Sequence, residues 1–108
     1  MSQHLNHYGQ PVGQPLPDWQ PRPLPQHQVF TGQSCRLEPF SAARHGEALS
    51  DAWALAEDGR DWTYMFMGPF DDPQAWQDYI RQLEASRDPL HFAVIDLATG
   101  EAVGSLSL

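Results

Sequence analysis

Six of the ten prolines of this 108-residue chain stand before residue 34, at Pro11, Pro15, Pro17, Pro21, Pro23 and Pro25. Each ring fixes φ and removes a backbone donor, and each pushes the residue before it toward extended geometry. Neither a helix nor a central strand can persist through such spacing. The same 33 residues hold seven glutamines and only one acid and one base, Asp18 and Arg22. Residues 1–33 are therefore expected to form an extended arm, leaving 34–108 to build the core. A folded part that small buries a modest share of its surface and keeps a thin stability margin. Leu16, Trp19, Leu24, Val29 and Phe30 are the side chains available to anchor the arm. The prolines never fall in a P-x-x-P pattern, so an SH3-type ligand is not supported.

The charge is concentrated elsewhere. Of a formal net charge of −8, nearly all belongs to the region after residue 33, which carries five arginines, no lysine and thirteen acids. Nucleic-acid binding requires a basic stripe to neutralise phosphates, and this composition argues against it. An acidic surface instead suits an amine-bearing partner. Cys35 is the single cysteine, which excludes an internal disulfide and a cysteine-cluster metal site. In strand context it reads as a small buried hydrophobe. His4 and His7 lie in the polar arm and make a poor metal pair. No apolar run approaches the roughly 20 residues that cross a bilayer, and the N-terminus lacks a secretory signal pattern. The simplest expectation is a cytoplasmic protein without membrane contact, and the absence of lysine beside six arginines suggests a GC-rich bacterial source.

From Ser34 to Phe40 the residues alternate, with Cys35 and Leu37 facing inward and Arg36 and Glu38 outward, the period of a half-buried strand. Ser41 is placed to cap a helix over residues 42–58, with His45, Leu49, Ala52, Trp53 and Ala56 on one apolar face and Gly59 as its stop. His45 reads as a helix-face residue touching the core. A second helix start is written in Asp71-Asp72-Pro73. Its stripe of Trp76, Tyr79, Ile80 and Leu83 runs to about residue 86, before Asp88-Pro89 ends it. Leu90 to Leu97 is apolar at nearly every position, as in a strand covered on both faces. A turn at Ala98-Thr99-Gly100 returns the chain along Ala102–Leu108, with Gly104, Leu106 and Leu108 on one face. The fold class is thus α+β, in the order strand, helix, helix, strand, strand, on a largely antiparallel sheet.

Between the helices lies Trp62-Thr63-Tyr64-Met65-Phe66-Met67-Gly68-Pro69-Phe70. It is too irregular for an amphipathic helix and too apolar for an ordinary surface loop. Connections of this kind close a core or line a ligand site. No phosphate loop, dinucleotide fingerprint, zinc-protease motif or nucleophile elbow occurs anywhere in the chain.

The succession Cys35-Arg36-Leu37-Glu38-Pro39-Phe40, a helix, then Trp62-Thr63-Tyr64 and Gly68-Pro69-Phe70 resembles the opening half of GNAT-type N-acetyltransferases. Within them it is similar to the branch containing ribosomal-protein alanine acetyltransferases. The likeness continues through Ser86-Arg87-Asp88-Pro89-Leu90-His91-Phe92-Ala93-Val94 and Thr99-Gly100-Glu101-Ala102-Val103-Gly104. The leader from Gly9 to Pro25 also looks like one found in bacterial members. This resemblance implies transfer of an acetyl group from acetyl-CoA to an amine, carried by a small molecule or a protein N-terminus. It implies that the amine attacks the thioester directly while backbone N–H stabilises the oxyanion.

The family holds acetyl-CoA in its second half, on a bulged fourth strand and a Gly-rich turn at a helix N-terminus, and neither is found in these 108 residues. The chain is accordingly expected to be an N-terminal half, inactive alone, with no catalytic or cofactor-binding residue to assign. The resemblance places the helix–helix connection beside the acceptor amine, which makes Trp62, Tyr64, Phe66 and Phe70 the substrate-binding candidates, by packing and cation–π contact. The competing expectation is a small protein-interaction module that pairs through an open sheet edge, with a second copy of itself as one partner.

Overall fold

The computed structural model describes residues 3–108. Three two-residue strands, β1 (His4–Leu5), β2 (Pro11–Val12) and β3 (Phe30–Thr31), precede β4 (Cys35–Pro39). Then come α1 (Ala42–Trp53), a 3₁₀ turn (Gly59–Trp62), α2 (Pro73–Ala85), β5 (His91–Asp96) and β6 (Glu101–Ser107). The main sheet is antiparallel in the order β3-β4-β5-β6, so β5 is central and β6 is an edge. The architecture is mixed α+β, with both helices on one face of the sheet.

Local chemistry explains the helix starts. The Ser41 hydroxyl accepts from the Arg44 N–H, and the Asp72 carboxylate accepts from the Gln74 N–H, with Pro73 in the first turn. Each satisfies a donor that a helix N-terminus leaves without an intrahelical partner. The helices bring Leu49, Trp76, Ile80 and Leu83 onto Ala93, Ile95 and Ala102, with Phe40 beside them. Gly46 lets α1 approach α2, since a methyl group there would stand 2.7 Å from Ile80 Cδ1.

Three details differ from the sequence reading. First, β4 is turned over. Cys35 is exposed, whereas Glu38 is buried on the helix side, opposite Ala93. Its carboxylate accepts from Arg36 Nε at 2.8 Å and from His45 Nε2 at 2.8 Å, and Arg44 lies 3.1 Å away. A buried carboxylate is tolerable when its lone pairs are filled by charged and polar donors, and those donors outweigh the alternation of the strand. The same inversion leaves Cys35 on the outer face at the strand's end.

Second, α1 stops at Trp53 and not at residue 58, with Ala54 as its cap. Leu55 and Ala56 instead donate to Ala52 and Trp53 in tight turns. Gly59 opens the 3₁₀ turn, with Asp58 capping it at Arg60 N–H. Turning the chain here lets Trp62 fold back against Trp53, an aromatic contact that a continuing helix would forgo.

Third, a bulge interrupts the β5–β6 ladder, because Val94 pairs with Gly104 and Ile95 with Ala102, leaving Val103 over. An extra residue on one strand reverses the alternation beyond it. Ala102 thereby reaches the helix side, while Gly104 and Leu106 stay on the other.

The arm behaves differently from its sequence anchors. Leu16, Trp19, Leu24 and Val29 are all more than half exposed, and only Phe30 meets the sheet, edge-on to Phe92 at 5.9 Å. The radius of gyration is 19.3 Å, against roughly 13 Å for a compact chain of this length. Phe30–Thr31 nevertheless pairs with Arg36–Leu37, so the sheet begins inside the proline-rich region.

Candidate active site

Five aromatic side chains converge where α1 ends and α2 begins. Trp53 packs edge-on against Trp62 at 4.9 Å and against Trp76 at 4.8 Å between ring centroids. Phe70 stands edge-on to Trp62 at 5.7 Å and stacks on Tyr79 at 4.5 Å. Edge-to-face and offset pairs of this kind contribute about 0.5–1.5 kcal/mol each beyond the area they bury. The cluster depends on Gly68, whose φ is +77° and whose Cα lies against the Trp62 ring, where a Cβ would overlap the indole. Burial of Tyr79 pushes its phenol pKa up.

This cluster walls a cavity of about 730 Å³, faced by Trp53, Trp62, Phe70 and Trp76. Glu47, Asp51, Asp58 and Asp71 also line it, and no arginine or histidine does. Asp58 is held by Arg60 through Oδ1 and Oδ2 at 2.8 and 2.7 Å, which keeps its carboxyl below the ordinary value. Glu47, Asp51 and Asp71 have no cationic partner among the described residues. Aromatic faces with unpaired carboxylates form a wall that attracts a cationic group. A second cavity of about 600 Å³ lies behind it, between Leu55, Trp62, Met65 and the Gly104–Ser105 stretch of β6.

Of the four sequence candidates, the structure brings Trp62 and Phe70 together in the cluster. Tyr64 and Phe66 project fully into solvent and line neither cavity. Trp53, Trp76 and Tyr79 complete the site. They were visible only as members of helix stripes, and their convergence depends on the early end of α1.

A separate polar cluster sits at the N-terminus of α1. His45 Nδ1 accepts from the Ser41 N–H at 3.0 Å, which fixes the ring proton on Nε2, where it is donated to Glu38. The His45 hydrogen bond, aided by Arg36 and Arg44, holds the Glu38 carboxyl below its ordinary value against the opposing effect of burial. Partial burial lowers the pKa of His91. Among the described residues no three His, Cys, Asp or Glu side chains converge to hold a metal ion, and no helix is long and apolar enough to cross a membrane.

Two solved structures share this arrangement of elements. A GCN5-related N-acetyltransferase from Brucella melitensis is 35% identical, matches 86% of this chain and superposes with a TM-score of 0.76. A probable GNAT-family acetyltransferase from Chromobacterium violaceum is 26% identical over 91% of the chain, with a TM-score of 0.69. The structural neighbours are GNAT-family acetyltransferases. The architecture matches a partial GNAT fold, and the chain spans 42% and 48% of the lengths of those two proteins. A match over 86% is about 93 residues, more than the 75 from Ser34 onward, so the likeness extends into the proline-rich arm. No protein-family model and no curated protein matches the sequence.

Proposed function

We propose that this chain is the acceptor-side part of an acetyl-CoA-dependent N-acetyltransferase, and that the aromatic cavity between α1 and α2 receives the amine to be acetylated. The observation that carries the reading is the pairing of Trp53, Trp62, Phe70 and Trp76 with the unpaired Glu47, Asp51 and Asp71 in one cavity, within a fold whose neighbours are acetyltransferases.

In this reading the carboxylates raise the local concentration of the ammonium form by attraction. The rings hold its alkyl part and, within about 6 Å of a ring centroid, contribute roughly 0.5–2 kcal/mol of cation–π energy. The amine must then lose a proton to become a nucleophile. Among the described residues three of the carboxylates are free of ion pairs, but none is buried and held toward a defined acceptor position, so no general base is assigned. The acceptor is an amine-bearing small molecule or a protein N-terminus.

The residues of this chain do not fit acetyl-CoA. Its phosphates need a cluster of backbone donors or cationic side chains. The α1 N-terminus is already occupied by Ser41, Glu84 and His45, and that of α2 by Asp72. The cavity lining is acidic. We therefore assign to this chain no step through the cofactor.

Two titrations test the proposal. Calorimetry of the 108-residue protein with acetyl-CoA should show no binding heat, and stoichiometric micromolar binding would overturn the division of labour. Tryptophan fluorescence should respond to n-butylammonium at lower concentrations than to n-butanol. An equal response to the amine and the alcohol would remove the case for an amine site.

A further inference from the structure

Trp76 is the most deeply set ring of the aromatic cluster. It is 8% exposed, edge-on to Trp53 at 4.8 Å and to Phe70 at 5.7 Å, and tilted against Tyr79 at 5.9 Å. Its indole N–H can donate a hydrogen bond and cannot accept one. No backbone or side-chain group among the described residues takes that bond. Yet no sealed side-chain nitrogen or oxygen among those residues lacks a partner, so this N–H opens onto free space. Trp76 lines the cavity of about 730 Å³ and not the one of about 600 Å³ behind it. The opening is therefore inside the proposed amine site.

A nearly buried donor facing a cavity sets a condition on what fills it. A molecule that expels water from the cavity and offers no acceptor strands the N–H, which costs at least as much as a lost hydrogen bond. Sites built around such a donor discriminate against analogues that lack the acceptor. The acceptor must also be neutral. Glu47, Asp51 and Asp71 line the same cavity without a cationic partner among the described residues, and they repel a further carboxylate. An ammonium group matches the carboxylates, and an uncharged oxygen on the same molecule matches Trp76.

We propose that Trp76 Nε1–H is a specificity-determining donor, and that the cavity takes amines bearing a neutral oxygen acceptor in preference to plain alkylamines and to free amino acids. This rests on the amine-site reading above and narrows its substrate class. A small amino amide and the N-terminus of a peptide share the chemistry required.

Three probes with one side chain separate the requirements. L-leucinamide carries an ammonium and an amide, isoamylamine an ammonium alone, and L-leucine an ammonium and a carboxylate, all protonated at nitrogen at about pH 6. In the 108-residue protein, tryptophan fluorescence should respond to leucinamide at concentrations about 3- to 10-fold lower than to isoamylamine, the scale of one hydrogen bond. Leucine should bind most weakly. In ¹⁵N-labelled protein the Trp76 indole N–H resonance, assigned through the backbone, should move with leucinamide and much less with isoamylamine. Trp76→Phe, with circular dichroism unchanged, should bind these two probes alike while still preferring n-butylammonium to n-butanol. A leucyl tripeptide amide that binds more tightly than leucinamide would identify the ligand as a peptide N-terminus, and equal binding would identify a small amino amide. Equal responses to leucinamide and isoamylamine, with the preference for butylammonium intact, would overturn this inference alone. So would a Trp76 resonance that stays still as leucinamide saturates the cavity, a readout that needs no variant. Loss of the butylammonium preference would remove the amine site itself.

Discussion

The α1–α2 connection and the N-terminal arm begin with similar material: aperiodic stretches with scattered large apolar side chains and a tryptophan. They end differently. In the connection, Trp62 and Phe70 join Trp53, Trp76 and Tyr79, while in the arm Leu16, Trp19, Leu24 and Val29 stay exposed. Hydrophobicity is therefore not what separates them. A buried ring needs neighbours on more than one side, and two helix ends supply them around the connection. The arm leaves from β3 at one sheet edge and passes nothing that could cover it. Even within the connection the same rule holds, because Tyr64 and Phe66 project from the outer side of the turn.

The largest test of this contrast is truncation of a tryptophan in each region. Trp76→Ala should destabilise the fold by about 3–5 kcal/mol, as large aromatic truncations in cores do. Trp19→Ala should stay within about 0.5 kcal/mol. Urea denaturation measures both, and a comparable loss for Trp19 would break the distinction.

Two glycines of nearly equal φ sharpen it further. Gly68→Ala combines left-handed strain with overlap on the Trp62 ring, and should cost about 3 kcal/mol. Gly9 has φ +80° but open space around its Cα, so Gly9→Ala strains only the arm's turn. The unfolding midpoint of the domain should not move.

The polar cluster at Glu38 supplies a third, pH-dependent test. Its carboxyl pKa is lowered in the folded state from the ordinary 4.5, so the stabilisation is present above that value and is lost as pH falls through the folded one. Acid titration of unfolding should show stability declining below about pH 5, and Glu38→Gln should flatten that decline. At neutral pH the same change should cost about 2 kcal/mol, the scale of hydrogen bonds to a charged group. Smallest of all, Tyr64→Ser and Phe66→Ser should leave stability within about 0.5 kcal/mol. A loss above 1 kcal/mol in either would show that the outer rings pack after all.

Much of the fold was legible in the sequence, for reasons that lie in short-range chemistry. Ser41 and Asp72-Pro73 announce the helix starts because caps act within three residues. The uninterrupted run at residues 90–97 announces the central strand. The face of β4 was misread because the burial of Glu38 depends on Arg44 and His45, six and seven residues further on and on a different element. The end of α1 was misread because an aromatic contact between Trp53 and Trp62 overrides good helix formers. The site was half legible. Composition marked the segment that supplies two rings of the aromatic cluster, but it cannot tell Trp62 from Tyr64, and only the three-dimensional turn adds Trp53, Trp76 and Tyr79.

The close approach of Gly68 to Trp62 has a bearing on how such a sequence can drift. Position 68 has no room for a side chain while an indole occupies position 62, so residue 68 is not free to vary alone. A chain that gains bulk at 68 must first lose it at 62, and with it the ring that bridges Trp53 to Phe70. A small residue at 62 should act as a partial second-site suppressor of substitutions at 68, because it relieves the overlap and leaves the left-handed strain in place.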